Sequence, residues 1–284
     1  MSILSGLMLA MFLASLDQTI VATSLSTMAS DLNGWELMSW VVSAYLVAST
    51  VTTPIYGRLS DLYGRRPILL AGIALFLGAS VLCALSQTMA QLIGARVLQG
   101  IGGGGLRSVS QAAIADVIPP RERGRYQGYF SSVMAVSSLL GPVLGGFFAD
   151  YLTWHWIFWI NIPFGALALF LCNRNLRRLP KPRRKPVIDW IGAALILGST
   201  TPILIAVGQA ESAGGWARVD VLLPLAIGLV LLAALVVWER EAREPMIPLR
   251  LFANRIFAVA SVISFLMSMV MIAMIIVVPL DFEL

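Results

Sequence analysis

Long apolar runs with few charges constrain this chain more than any other feature. A helix that crosses a membrane needs about 20 apolar residues, because the hydrocarbon core is ~30 Å thick and each residue rises ~1.5 Å. The chain is 58% hydrophobic and 12% charged, whereas soluble domains are about 45–50% apolar and about 25% charged, so the surplus apolar surface must face lipid. We therefore predict an all-α, polytopic membrane protein with about nine spanning helices, over residues 3–25, 37–56, 67–85, 89–117, 126–149, 157–172, 191–210, 221–237 and 256–280.

Basic residues between these runs set the predicted orientation. If the N-terminus lies in the cytoplasm, nearly all of the 20 Lys and Arg residues fall in inside loops, and the densest group lies between residues 174 and 185. Cytoplasmic loops of membrane proteins carry such an excess of Lys and Arg. The pattern predicts a multi-pass protein of the cell membrane (the inner membrane in bacteria) with a cytoplasmic N-terminus.

The segment GRLSDLYGRRP at residues 57–67 is a dense polar group between the second and third apolar runs. Glycines permit tight backbone geometry and a proline suits the first turn of a helix. These properties would fit any short loop between two helices. The spacing is more specific, because it resembles the signature loop of the major facilitator superfamily, G-x-L-x-D-x-x-G-R-[RK]-x, at every defined position. The resemblance implies a gating loop that helps lock and release two helix bundles, formed by Gly57, Asp61, Gly64, Arg65 and Arg66.

Three further segments resemble motifs of the same superfamily. Residues 96–103 read RVLQGIGG, similar to the family's R-x-x-Q-G-x-G, and residues 16–21 read LDQTIV, similar to a motif of the drug:proton antiporters. The fifth apolar run resembles the antiporter motif G-x8-G-x3-G-P-x2-G-G. That resemblance implies a hinge or a seal between bundles, formed by Gly128, Gly141, Pro142, Gly145 and Gly146.

Three serines depart from these motifs. Ser137 replaces the middle glycine of the antiporter motif, and Ser24 and Ser26 stand where alanine and proline are usual in the first helix. These departures leave open whether the first helix bends at its outer end.

The segments WIFWINIPFG at 156–165 and PMIPLRLF at 245–252 resemble the fourteen-helix branch of these antiporters, in which two extra helices separate the bundles. The resemblance covers nearly the whole chain, which looks C-terminally truncated against that branch. It implies an N-terminal six-helix bundle (1–172), a basic cytoplasmic linker (173–186), two inserted helices (187–238), and a cytoplasmic loop with the first helix of an incomplete second bundle (239–284).

Two ionisable residues lie deep within predicted helices, where a charge costs ~2.5–3.5 kcal/mol on insertion scales. Helical rise places Asp17 and Arg96 at about the same depth, and inverted repeats bring their two helices together. We expect the pair to face one aqueous cavity, with Gln18 and Gln99 as candidate substrate contacts and Arg107 as an interfacial anchor. Burial favours a neutral carboxyl and a nearby arginine a charged one, so Asp17 would exchange the coupling proton and Arg96 would tune it. The alternative is a fixed buried ion pair that only orders the bundle.

Other site chemistries find little support. The run GIGGGG at 100–105 matches G-x-G-x-x-G, but no strand precedes it, so we interpret it as close helix packing. One histidine and two cysteines argue against a metal site and a disulfide framework. No nucleophile–base set indicates an enzyme, and no cofactor is expected. The net charge of +5 does not indicate nucleic-acid binding, because the arginines are spread among the loops.

The resemblance implies a secondary active transporter that exports amphipathic drugs or related small molecules in exchange for protons by alternating access. A uniporter or symporter of the same superfamily is one alternative, although the antiporter glycines argue against it. A truncated, non-transporting membrane subunit or relic is another, because the family needs twelve or fourteen helices. A missing C-terminal bundle would then be needed for transport, and the substrate is left open.

Overall fold

The computed structural model describes residues 2–178, 189–212, 217–242, 245–246 and 249–283. Within those ranges the long elements are helices: α1 (Ser2–Thr23), α2 (Leu25–Asp31), α3 (Met38–Tyr63), α4 (Arg65–Ala84), α5 (Met89–Val117), α6 (Arg123–Tyr151), α7 (Trp156–Trp159), α8 (Asn161–Asn175), α9 (Trp190–Ser212), α10 (Val219–Glu241) and α11 (Arg255–Glu283). Short 3-10 turns lie at Trp35–Leu37, Leu176–Arg178 and Leu249–Ala253. The predicted all-α fold is confirmed.

Seven segments in the described part of the chain are long and apolar enough to cross a membrane. They are Leu4–Thr23, Trp35–Tyr63, Arg65–Ala84, Arg123–Phe148, Trp156–Asn175, Trp190–Ala210 and Val219–Glu241. The two other predicted spans correspond to α5 and α11. Helix α5 has 29 residues but is rich in glycine and polar residues, and α11 contributes the shorter apolar stretch Arg255–Val270.

Two of the predicted runs are interrupted in the structure. Helix α1 ends at Thr23, and Ser24 leaves helical geometry with φ −110° and ψ 12° before α2 begins. The first helix therefore does break at its end, despite the serine departures. The sixth run is assigned as two helices, α7 and α8, joined at Ile160, which itself keeps helical geometry with φ −61° and ψ −26°. Pro163, at the third position of α8, has no N–H with which to bond the Trp159 carbonyl one turn earlier, so the helical ladder is not continuous there.

The helices before residue 179 form a bundle with α1 and α5 at its centre. Helix α5 packs along α3 and α4, α1 packs along α6 and α8, and α1 and α5 also contact each other. Glycines on α5 allow the close approach: a Cβ on Gly100 would meet the Tyr45 carbonyl, and one on Gly102 would meet the Phe76 backbone. The glycine run is thus a packing surface, as the sequence predicted.

Helices α9 and α10 pack against each other, and α9 also contacts α3. Asp189 precedes α9 and joins the two helices, since its carboxylate accepts hydrogen bonds from the Gly192 N–H at 2.8 Å and from the Trp238 indole N–H at 3.0 Å. Most of the predicted basic linker (its residues 179–186) lies outside the described residues. The division of the chain into four parts therefore stays a prediction.

Candidate functional site

Asp17 and Arg96 form an ion pair inside the bundle. The Arg96 NH1 atom lies 2.6 Å from Asp17 Oδ2, and the two side chains are 1% and 0% exposed, respectively. Asp17 lies on α1 and Arg96 on α5, the two central helices. The structure thus brings together the two residues that helical rise had placed at the same depth.

Two amide side chains share the other carboxylate oxygen. Gln99 Nε2 lies 2.9 Å and Asn161 Nδ2 lies 2.7 Å from Asp17 Oδ1. The Gln99 carbonyl oxygen accepts a second hydrogen bond from Arg96 NH1 at 2.7 Å. A buried polar network is favourable only when its members are satisfied, and here both carboxylate oxygens have N–H donors.

Arg96 also has partners on α3. Its Nε donates to the Val41 carbonyl at 3.2 Å, and its guanidinium carbon lies 4.2 Å from the centre of the Tyr45 ring. An aromatic face attracts a cation electrostatically. The arginine charge is therefore balanced by a carboxylate, a carbonyl and a ring, all supplied by neighbouring helices.

The expectation that this pair faces an aqueous cavity is not met in the structure. Asp17 and Arg96 are enclosed because α3, α5 and α8 each supply a group that bonds to them. Gln99, expected to contact substrate, is 0% exposed. Both ends of its amide are used inside the ion-pair network, so in this conformation it has no polar group left for a ligand.

Gln18 and Arg107 make a second polar contact between α1 and α5. Arg107 NH2 donates to Gln18 Oε1 at 2.5 Å, and both side chains are half-buried. Among the described residues, Gln18 Nε2 has no hydrogen-bond partner. Arg107 thus reaches back to α1, and its role as an interfacial anchor stays a prediction.

Arg65 is the centre of the predicted gating loop. Its NH1 lies 2.5 Å from Asp61 Oδ1, and its Nε lies 2.8 Å from Asp116 Oδ2, near the end of α5. Gly64 separates α3 from α4 with φ 97° and ψ 150°, a conformation that side-chain-bearing residues rarely adopt. Glycine at this position allows Arg65 to turn back toward Asp61.

The rest of the loop connects to α8. Arg66 NH2 donates to Asn173 Oδ1 at 2.5 Å, whereas a Cβ on Gly57 would meet no heavy atom within 4 Å. The loop therefore ties the α3–α4 junction to both α5 and α8. Its gating role stays a prediction.

The predicted hinge residues on α6 divide into two groups. A Cβ on Gly141 or Gly145 would collide with a threonine side chain of α1. At the same contact the Thr19 hydroxyl lies 3.0 Å from the Ser137 carbonyl, and the Ser24 hydroxyl donates to the Gly145 carbonyl at 3.2 Å. Ser24, a departure from the resembled motif, thus stabilises the contact between α1 and α6.

The other three predicted hinge residues do not lie at this contact. Cβ atoms on Gly128 and Gly146 would meet nothing within 4 Å, and α6 continues through Pro142 without ending. The hinge function stays a prediction.

Sequence reasoning missed Asn161 as a site residue and gave Asp116 no role. Asn161 lies in a quoted motif, and an amide within an apolar run is a signal in itself, because a buried polar group needs a partner. Asp116 gave a weaker signal, since it lies at a helix end where a carboxylate is unremarkable.

Comparisons with known proteins agree with these features. The chain matches the model of the Major Facilitator Superfamily over residues 7–283. It is 40% identical over 261 residues to "Multidrug resistance protein 3" of Bacillus subtilis, covering 92% of this chain and 51% of that protein. It is also 40% identical over 270 residues to "Efflux pump FUS6" of Gibberella fujikuroi, covering 92% and 48%.

A solved structure of the "peptide transporter POT in complex with sulfate" has the same fold with a TM-score of 0.61, at 19% identity, over 84% of this chain and 52% of that one. The chain spans about half the length of the curated relatives it matches.

Proposed function

Because the chain belongs to the major facilitator superfamily, a family of transporters and not of enzymes, we propose that it is part of a proton-coupled exporter of amphipathic small molecules. Relatives named as a multidrug resistance protein and an efflux pump support export as the direction of transport. We place the protein in the cell membrane with its N-terminus in the cytoplasm, on the distribution of Lys and Arg.

The observation that carries the proposal is the buried pair of Asp17 and Arg96. An ion pair within a membrane-embedded bundle is a poor device for stability, since apolar residues of similar volume serve as well or better. Ionisable residues at this depth instead mark ion pathways and proton relays. Asp17 is charged while Arg96 contacts it, and it takes a proton when the contact loosens.

Alternating access supplies the step that loosens the contact. In the proposed cycle, Asp17 binds a proton from one side of the membrane and releases it to the other, while the substrate moves in the opposite direction. The driving force is ~2.3 kcal/mol per charge per 100 mV, plus the pH gradient. The loop around Arg65 acts as the gate. Gln18, half-buried and with an amide donor available, is the proposed substrate contact in place of Gln99.

Transport in this proposal needs two six-helix bundles with the substrate site between them. Helices α1 to α8 supply one bundle, α9 and α10 are the inserted pair, and α11 begins the second. We therefore expect that the 284 residues inserted alone do not export.

The test compares this chain with a chimera in which the second half of the Bacillus subtilis relative continues it. Both are reconstituted in vesicles with an imposed pH gradient, and the probe is ethidium, an aromatic cation. We expect the chimera to accumulate ethidium and move protons, and the 284-residue chain to do neither. Export by the chain alone would refute the need for a second bundle, and ethidium transport without proton movement would favour a uniporter.

Two variants of the chimera test the proton role. Asp17→Asn should abolish exchange without affecting insertion, because the amide cannot titrate. Asp31→Asn is the matched control, since the Asp31 carboxylate accepts a hydrogen bond from the Trp154 indole at 2.8 Å and not from the ion pair. Undiminished exchange in Asp17→Asn would refute the role of Asp17.

A further inference from the structure

Asn161 begins α8, directly after Ile160 at the junction with α7, and its side chain points into the ion-pair site. It is 1% exposed. Its Nδ2 atom lies 2.7 Å from Asp17 Oδ1 and 2.9 Å from Ser80 Oγ. The proposed function assigns nothing to this residue, although it is the third side chain that donates to the Asp17 carboxylate.

The chemistry of its neighbours fixes the orientation of this amide. An ionised carboxylate can only accept hydrogen bonds, so the group that faces Asp17 must be the NH2. The Ser80 hydroxyl donates to the Phe158 carbonyl at 2.9 Å, which leaves its lone pairs to accept from Asn161. Ser80 on α4 therefore contacts both sides of the α7–α8 junction, Phe158 in α7 and Asn161 in α8.

Protonation of Asp17 conflicts with this arrangement. Oδ2 faces the Arg96 guanidinium, and Oδ1 faces the amide N–H groups of Gln99 and Asn161. The two amides occupy both lone pairs of Oδ1, so a proton binds to Oδ1 only if Gln99 or Asn161 withdraws. Gln99 lies in the middle of helix α5, whereas Asn161 lies at the start of α8, where Pro163 leaves the helical ladder incomplete. Of the two amides, Asn161 therefore lies where the helix is less completely hydrogen-bonded.

We propose that Asn161 is a positioning residue for proton coupling: it holds Asp17 in the proton-free form, and its withdrawal with the start of α8 accompanies proton uptake. The inference rests on the proposed role of Asp17 as the proton site. Pro163 has no N–H, so the carbonyl one turn earlier lacks its helical partner, and this gap in the ladder lies next to the residue that contacts Asp17.

Other titratable and charged groups face Asp17 from the helices around it. They are Arg96 on α5, Tyr45 on α3 and Cys83 on α4. A phenol and a thiol are uncharged at neutral pH and arginine keeps its charge throughout. These groups therefore do not change charge near neutral pH, and a change in the environment of Asp17 must come from movement of its hydrogen-bond donors.

The test follows proton uptake by Asp17 in the purified 284-residue chain, so it does not depend on transport. Infrared difference spectroscopy across a pH series detects the C=O stretch of a protonated carboxyl, and loss of the band in Asp17→Asn assigns it. Asn161→Ala should move the pH midpoint of the band upward by about one to two pH units, the size expected for a hydrogen bond to a charged group. Ser80→Ala, which removes the group that orients the amide, should move it in the same direction by less.

Asn173→Ala is the matched control, because Asn173 lies on the same helix and bonds to Arg66 in the loop. It should leave the midpoint unchanged, even if it lowers thermal stability as much as Asn161→Ala does. An unchanged midpoint in folded Asn161→Ala would overturn the inference. If that variant does not fold, Ser80→Ala decides in its place, and an unchanged midpoint there would overturn it equally. Absence of any Asp17-dependent band would instead refute the proposed function on which the inference rests.

Discussion

Replacing Arg96 by methionine would leave the Asp17 carboxylate buried without its counter-ion. Methionine occupies part of the space of the arginine stem but cannot donate to Asp17 Oδ2 or to Gln99 Oε1, the two atoms that Arg96 NH1 contacts. Removing one partner of a buried pair is strongly destabilising, by about 3–5 kcal/mol, because it strands the remaining charge.

Proton uptake by Asp17 sets an upper limit on this loss and makes it depend on pH. An aspartate in water releases its proton near pH 3.9, so holding it neutral at pH 7 costs about 4 kcal/mol. In the variant, the folded state binds more protons than the unfolded state above pH ~4, and its stability therefore falls as pH rises, by about 1.4 kcal/mol per pH unit. The deficit relative to the unsubstituted chain should be about 4 kcal/mol at neutral pH and small near pH ~4.

The measurement is the free energy of unfolding of the purified chain in mixed micelles, at several pH values across that range. Arg107→Met is the matched control on the same helix: its partner Gln18 is neutral, so its effect should not vary with pH. The double variant Asp17→Asn/Arg96→Met should recover most of the lost stability. A deficit from Arg96→Met that is constant with pH, or no larger than that from Arg107→Met, would refute the burial of the charge.

Three further outcomes are expected. Gly102→Ala should destabilise the chain by about 1–3 kcal/mol by overpacking, whereas Gly94→Ala on the same helix should not, because a Cβ there meets nothing within 4 Å; equal unfolding free energies would contradict the packing. In the chimera, Asp61→Ala should lower kcat more than it raises KM, and a change in KM alone would speak against gating. Cys83 and Cys172, both 0% exposed, should resist thiol reagents until the protein is denatured; rapid labelling of either in the native state would contradict its burial.

The spanning helices could be predicted because the thickness of the bilayer sets their length, and the length of an apolar run can be counted directly in the sequence. The break after Thr23 could not, because the resembled motif places its bend at residues that are serines here, and the Ser24 hydroxyl bonds to the Gly145 carbonyl, far along the chain. The missing helical hydrogen bond near the start of α8 has a local cause in Pro163. Its importance depends on the contact between Asn161 and Asp17, which are far apart in sequence.

The position of the candidate site along the helix axes was predictable, but the direction in which each side chain points was not. Helical rise gives the depth of Asp17 and Arg96, whereas the angle around the helix axis decides whether a side chain meets a cavity or a neighbouring helix. Residues three apart share a helix face and adjacent residues do not. This periodicity explains why Gln99 joins Arg96 in the network while Gln18, next to Asp17, turns away and meets Arg107 instead.

Helix α1 would lose different hydrogen-bond partners if α5 moved away from it than if α6 did. On the α5 side, withdrawal would remove Arg96 and Gln99 from the Asp17 carboxylate, and the third donor to that carboxylate, Asn161, lies on α8 and not on α1. On the α6 side, the Thr19 hydroxyl that reaches the Ser137 carbonyl also lies 3.0 Å from the Leu16 carbonyl of α1 itself, so it keeps a partner if α6 moves. Glycines at this contact place no side chains between the helices. Helix α1 therefore loses less by sliding on α6 than by leaving α5, and a conformational change that preserves the Asp17–Arg96 pair is expected to move α6.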